Sequence, residues 1–189
     1  MKKLILSLAL LLTVSMSAFA QDFSYNGINY KILSAADMTV EVYSSSFYGS
    51  ELIIPDKVTY SGKEYTVTVI GGAFSNNTFV TSVSIPATVK NIENYAFQDC
   101  SNLTSLTFEG DSQLERIGQR AFSSTGLKTI DIPASVISIS NHAFLDNTAL
   151  QQVYMHCANP SGYSSDAFRD CSDVVIYAPA ASYEAYNTQ

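Results

Sequence analysis

The chain has 189 residues, of which 47% are hydrophobic and 14% are charged, and its formal net charge at pH 7 is −7. This length is sufficient for one domain with a sizeable core. The negative charge repels the phosphate backbone of nucleic acids and anionic lipid surfaces, so neither is an expected partner.

Residues 1–20 have the pattern of a secretory signal peptide. Lys2 and Lys3 are followed by the apolar stretch 4–14 and by a small-x-small cleavage sequence at 18–20. An uncleaved membrane anchor is the alternative, but no later run approaches the ~20 apolar residues of a membrane span. We therefore expect an exported protein that begins at Gln21, is secreted, periplasmic or bound at the cell surface, and is not embedded in a membrane.

Residues 21–48 have the features of an N-terminal β cap. Asn26-Gly27, between Tyr25 and Ile28, favours a type I′ turn, which needs two positive φ angles and joins two antiparallel strands. The next unit is expanded, with a second predicted hairpin: a strand at 58–60, a turn at Ser61-Gly62 and a strand at 65–70. A hairpin cap of this kind would cover the open end of whatever follows.

The repeat region, residues 49–173, is marked by a recurring Ala-Phe dipeptide. Its phenylalanines are spaced 23, 25, 22 and 24 residues apart, and they are Phe74, Phe97, Phe122, Phe144 and Phe168. A period near 23 predicts a solenoid of stacked units. Each unit begins with the apolar alternation of a half-buried strand, as at Val83 and Ile85, and reaches Ala-Phe in a short turn or a single helical turn. Residues 174–189 are predicted to form a C-terminal cap.

The sequence resembles a known repeat family. The segment VTSVSIPATVKNIENYAFQDCSN and its later counterpart LKTIDIPASVISISNHAFLDNTA are similar to the BspA-type leucine-rich repeat of secreted and surface proteins from Bacteroides-like bacteria. The resemblance implies a leucine-rich-repeat solenoid with short parallel strands, short helical turns and an N-terminal β-hairpin cap. It also implies a surface or secreted binding protein, since some members are implicated in adhesion to host matrix proteins and to other bacteria.

The outward positions of the repeat strands form two columns, and the sheet face of a solenoid is its natural binding surface. Most outward residues are short hydroxyl side chains that suit a solvated sheet. Tyr154 and Tyr177 are the exceptions, and tyrosine is common at interface hot spots and also stacks on sugar rings. The candidate ligand-binding residues are Ser82, Ser84, Ser105, Thr107, Thr129, Asp131, Gln152, Tyr154 and Tyr177.

Three cysteines are present, an odd number for an exported protein. Cys100 and Cys171 occupy equivalent positions three coils apart, about 14 Å from each other at ordinary strand spacing. That exceeds the ~7 Å limit for a disulfide, so we expect small buried side chains. A Cys157–Cys171 bridge is left open by the sequence.

No catalytic constellation is apparent. His156 and Cys157 are adjacent in a predicted strand, so they point to opposite faces and cannot act as a dyad. Two histidines make a zinc site improbable, and no cofactor motif occurs. A polar column two residues after each phenylalanine is predicted to cap the turns through its side chains rather than bind calcium. It comprises Asn76, Asp99, Ser124, Asp146 and Asp170.

The leading functional hypothesis is therefore a non-enzymatic extracellular binding module that recognises a protein, by adhesion to host matrix or to other cells. A glycan-binding accessory protein and a structural component of a cell-envelope complex are the alternatives. The exposed edge of the last coil and the aromatic residues Tyr183 and Tyr186 motivate the structural alternative.

Overall fold

The computed structural model describes residues 22–157 and 162–180. Within these ranges the chain forms fifteen strands and coils into a solenoid. The predicted signal peptide and residues 158–161 and 181–189 lie outside the described residues, and so do Tyr183 and Tyr186. The strands are β1 Asp22–Tyr25, β2 Ile28–Ser34, β3 Thr39–Ser45, β4 Glu51–Ile53, β5 Lys57–Tyr60, β6 Lys63–Ile70, β7 Ser82–Ile85, β8 Asn91–Ile92, β9 Ser105–Phe108, β10 Arg116–Ile117, β11 Thr129–Ile132, β12 Ser138–Ile139, β13 Gln152–Met155, β14 Gly162–Tyr163 and β15 Val175–Tyr177.

The strands form three sheets. The back sheet has nine strands in the order β1-β2-β3-β6-β8-β10-β12-β14, with β5 paired to β6. The first front sheet is β4-β7-β9 and the second is β11-β13-β15. Every front pair is parallel, because each coil returns the chain to the same side before the next strand begins.

Both hairpins predicted from the sequence are confirmed. β1 and β2 are antiparallel around Asn26 and Gly27, whose φ angles of 50° and 75° are those of a type I′ turn. β5 and β6 are antiparallel around Ser61 and Gly62. β3 then pairs in parallel with β6, so the N-terminal strands extend the back sheet and cover its first coil.

The core is built from the same three contributions in each coil. A front strand supplies alternating buried residues such as Val83 and Ile85, the back strand supplies one such as Ile92, and Ala-Phe completes the interior. The repeat phenylalanines stack ring on ring, with centroids 4.9–5.5 Å apart and ring planes within 8° of parallel. Each inner ring of the column is therefore flanked by the rings of the two neighbouring coils, which makes the coils mutually dependent.

In the described repeats, the segments predicted to be short helical turns form turns but no helix, which is a minor correction to the expected fold. The physical reason is that left-handed residues interrupt each segment: Tyr95, Arg120 and His142 before Ala-Phe have φ angles of 53–64°. The polar column two residues after each phenylalanine is left-handed too, with φ angles of 56–61°. Asn, Asp and Ser tolerate this conformation better than bulky or β-branched residues do.

The sequence prediction that this polar column caps the turns through its side chains is wrong. The side chains that bond to the backbone are those of the following residue. In the first repeat, Asn77 Oδ1 accepts the backbone N–H of Phe79 at 2.9 Å and that of Val80 at 3.2 Å. The column at this next position comprises Asn77, Cys100, Thr125, Asn147 and Cys171. We call it the inner polar column.

None of the three cysteines forms a disulfide in the described residues, and two of them, Cys100 and Cys171, belong to the inner polar column. All three are thiols, and the Sγ atoms of Cys100 and Cys171 each lie 3.1 Å from a main-chain carbonyl oxygen of the preceding coil, in Phe74 and Phe144. Burial raises the pKa of the Cys100 thiol to about 12. The expectation of small buried side chains is confirmed for Cys100, and Cys171 is half-buried.

The carboxylate of Glu41 on β3 lies beside Gly71. A Cβ atom on residue 71 would clash with this carboxylate, so the glycine makes room for it. Burial raises the pKa of Glu41 above its ordinary value of 4.5; the charge of Lys31 opposes this, and that of Glu93 adds to it. Because the folded protein holds this proton more tightly than the unfolded chain does, the contribution of Glu41 to stability falls as the pH rises from about 4.5 through the folded-state pKa.

We therefore expect Glu41→Gln to raise the thermal unfolding temperature at pH 7, since the uncharged amide avoids burying a carboxylate. The gain should disappear near pH 4, where Glu41 is largely protonated in both states. Calorimetry at the two pH values measures this difference directly. An equal shift at both would show that a lost contact, and not ionisation, is responsible.

Candidate ligand-binding face

The front sheets present the two outward columns predicted from the sequence. Strand register places each column in line within a sheet, with alternate residues buried and outward-facing. The first column is Glu51, Ser82 and Ser105 on the first front sheet and Thr129, Gln152 and Val175 on the second. The other is Ile53, Ser84 and Thr107 on the first and Asp131, Tyr154 and Tyr177 on the second. All nine candidate residues therefore lie on the front, but on two sheets rather than one.

The two front sheets differ in chemistry. On the first, the short hydroxyl side chains dominate, and Ser84 Oγ donates a short hydrogen bond to a Glu109 carboxylate oxygen. On the second, the rings of Tyr154 and Tyr177 stack with centroids 4.8 Å apart and planes 11° from parallel. Tyr154 donates its hydroxyl to Gln152 Oε1 at 3.2 Å, which fixes one ring. Tyr177 is 45% exposed, so the pair offers a preformed aromatic surface to solvent.

A groove of about 710 Å³ lies where the front is divided between β9 and β11. β9 ends the first sheet and β11 begins the second, so the groove is bounded by two strand edges. Leu106 and Phe108 on β9 are only half-buried, whereas the corresponding residues of β7 and β11 are fully buried. The division thus exposes apolar side chains that the other coils enclose.

The sequence analysis did not identify this groove. It is lined in part by Gly110, Asp111 and Ser112, which follow β9 in the longest repeat, the 25-residue interval between Phe97 and Phe122. Gly110 has a φ of 52°, a left-handed turn that carries the segment away from the neighbouring coil. The lengthened interval was visible in the sequence and was the available signal.

Two of the predicted ligand residues line this groove, Thr107 on β9 and Asp131 on β11. His156 Nε2 lies 3.2 Å from Asp131 Oδ1, and both side chains are more than half exposed. His156 is exposed and Cys157 is buried, so the two side chains face opposite ways, as predicted. Within residues 22–157 and 162–180, no three His, Cys, Asp or Glu side chains converge in a way that could hold a metal ion.

These coils, with one short front strand and one apolar Ala-Phe turn per unit, define a solenoid of leucine-rich repeats. The family model for the BspA type leucine rich repeat region matches residues 68–185 in six copies. The chain belongs to this family, as the sequence resemblance predicted. Among the residues that the structure describes, no helix is long and apolar enough to cross a membrane.

Solved structures agree with this assignment. A leucine-rich repeat protein from Bacteroides capillosus is 32% identical, with a TM-score of 0.62, and the match covers 71% of this chain and 97% of that protein. One from Bacteroides ovatus is 27% identical (TM-score 0.57), covering 82% and 46%. The pneumococcal vaccine antigen PcpA, 23% identical over 86% of this chain and 51% of its own, shares the fold with a TM-score of 0.66. Comparison with curated proteins gives no match.

Proposed function

We propose that the chain is an exported, non-enzymatic binding module that recognises a protein through its front face. The observation that carries the proposal is the stacked, solvent-facing pair of Tyr154 and Tyr177 beside the groove. Two rings held by stacking lose little conformational entropy on binding and bring a large contact area, which is why tyrosine dominates many protein interfaces. The rest of the front is a row of small hydroxyl residues on which a partner can lie closely.

Export and surface location are parts of the same proposal. The support is the signal-peptide pattern of residues 1–20 together with family membership, and one structure with the same fold is a cell surface protein from Faecalibacterium prausnitzii. A role in adhesion to host matrix or to other cells follows the family resemblance. A flat, hydroxyl-rich face with one aromatic pair fits a folded protein better than a small molecule.

A solid-phase binding screen tests this function. The purified chain is offered host matrix proteins, mucin glycans and bacterial polysaccharides, alongside the double variant Tyr154→Ser/Tyr177→Ser. We expect saturable binding to a protein component, weakened at least about tenfold in the variant, since each aromatic hot spot contributes about 1–2 kcal/mol or more.

The matched control replaces two exposed tyrosines of the back sheet, Tyr25 on β1 and Tyr43 on β3, by serine. The control should bind like the unmodified chain. Equal losses in both double variants would contradict the assignment to the front face. Saturable binding of polysaccharide alone would replace the protein partner by a glycan, which tyrosine rings can also stack against.

An assembly role is the second candidate, and β15 is the observation that favours it. All three residues of β15, the last described front strand, are at least 36% exposed: Val175, Ile176 and Tyr177. By contrast, Val153, which pairs with Ile176 from the preceding coil, is buried. An apolar edge strand of this kind can pair with another copy or with a second envelope protein. Sedimentation at high concentration distinguishes the roles, because a strictly monomeric chain would count against self-association.

A further inference from the structure

The groove between the two front sheets combines two kinds of lining. Its apolar part comprises the half-buried side chains Leu106 and Phe108, together with Pro133. Its charged part comprises two exposed carboxylates, Asp111 on the segment after β9 and Asp131 on β11. Among the described residues, no lysine or arginine lines it, and His156 is its only basic side chain. An aromatic ring flanked by carboxylates favours a cation that also carries an apolar stem.

We propose that this groove receives a lysine or arginine side chain from the protein partner. This inference rests on the proposed function, and it specifies the chemistry of one side chain of the protein partner. The methylene stem of the incoming residue packs on Leu106 and Phe108, and its cationic head reaches Asp131 and Asp111. The ring of Phe108, which is half-buried and lines the groove, adds a cation–π contact.

Charge complementarity selects this occupant over an anionic or neutral one. The groove carries two carboxylates in a chain of net charge −7, so an acidic side chain or a sulfated glycan would be repelled. The imidazole of His156 contacts only one oxygen of Asp131, Oδ1, and a carboxylate can accept on both. Arginine suits the site best, because its planar fork pairs with a carboxylate and stacks on an aromatic ring at the same time.

A capped Gly-Arg-Gly peptide is the probe, followed by NMR through the backbone amide shifts of the ¹⁵N-labelled chain. We expect saturable shifts confined to residues 106–112, 129–135 and His156, with weaker binding at higher salt. Asp131→Asn should weaken binding about tenfold, the size expected for losing a charge-assisted hydrogen bond. Phe108→Leu keeps the apolar volume but removes the ring, and should weaken binding about threefold.

Glu115→Gln is the matched control, since it removes one exposed negative charge beside β10 on the back sheet and should leave the affinity unchanged. Capped Gly-Glu-Gly and the neutral disaccharide maltose are the comparison ligands. No shift with the arginine peptide, equal binding of the glutamate peptide, or binding of maltose in its place would each overturn the inference.

The two proposals fail separately. Tyrosine-dependent capture of a protein in the screen, with no shift from the arginine peptide, would overturn the groove assignment and leave the binding function intact. Shifts from the arginine peptide without capture of any protein would support the groove as a cation receptor and count against the wider function.

Discussion

Phe122→Ala is expected to lower the free energy of unfolding by about 3–5 kcal/mol. Phe122 is fully buried and stacks on Phe97 and on Phe144, with ring centroids 5.3 Å and 5.5 Å away. Removing it leaves a cavity in the middle of the phenylalanine column, between the buried rings of Phe97 and Phe144. The loss therefore combines the transfer energy of one ring with two broken ring contacts.

Urea unfolding followed by circular dichroism measures this change. Phe79→Ala is the matched control, because Phe79 is 56% exposed and lies outside the column; its substitution should cost well under half as much. Similar losses in the two variants would mean that the stacked rings do not hold the coils together.

Asn147→Leu is expected to cost about 3–4 kcal/mol, although the two side chains are similar in volume. The Asn147 amide is fully buried and satisfies three backbone groups in two neighbouring coils. Its Nδ2 donates to the carbonyl oxygens of Phe122 and Phe144, both at 2.7 Å, and its Oδ1 accepts the backbone N–H of Thr125 at 2.9 Å. Leucine would leave these buried groups without partners, each at a cost of about 1–3 kcal/mol before relaxation.

Cys100→Ala is the comparison within the inner polar column. The Cys100 sulfur is only weakly polar and has two backbone partners, the Phe74 carbonyl oxygen and the backbone of Asn77, so its loss should cost about 1 kcal/mol plus a small cavity term. Chemical denaturation of both variants measures the loss in the free energy of unfolding that each substitution causes. If Cys100→Ala costs as much as Asn147→Leu, side-chain volume and not hydrogen bonding determines the stability of this column.

Much of the fold was predictable because it depends on periodic patterns. The spacing of Ala-Phe predicts the repeat, and the alternation at Val83 and Ile85 predicts the front strands and their outward residues. Asn26-Gly27 gave the first hairpin, since few residue pairs accept two positive φ angles. Each of these signals is local and repeats along the chain, so a single sequence is enough to read it.

The division of the front was not predicted, because it depends on how two neighbouring coils fit together. A lengthened segment at Gly110 and Asp111 separates β9 from β11, and spacing alone does not show where the extra residues go. The role of the polar column was also misread. Asp99 and Asp146 belong to residue types that suit both side-chain capping and left-handed backbone, and only the φ angles decide between them.

The division and the aromatic pair together explain how a structural repeat can become specific. The buried residues are nearly the same in every coil, so they confer stability but cannot distinguish one partner from another. The front differs from coil to coil: hydroxyl residues, then the groove at Phe108 and Asp131, then the stacked Tyr154 and Tyr177. A partner that spans all three regions would meet a unique sequence of contacts.

The most direct test of the binding face is hydroxyl-radical footprinting of the chain alone and with the protein that it captures in the screen. We predict that oxidation of Tyr154, Tyr177 and Phe108 falls when the partner is bound, while oxidation of the back-sheet residues Tyr25 and Tyr43 is unchanged. Protection of Tyr25 and Tyr43, with Tyr154 and Tyr177 oxidised as before, would contradict the account and move the interface off the front sheets.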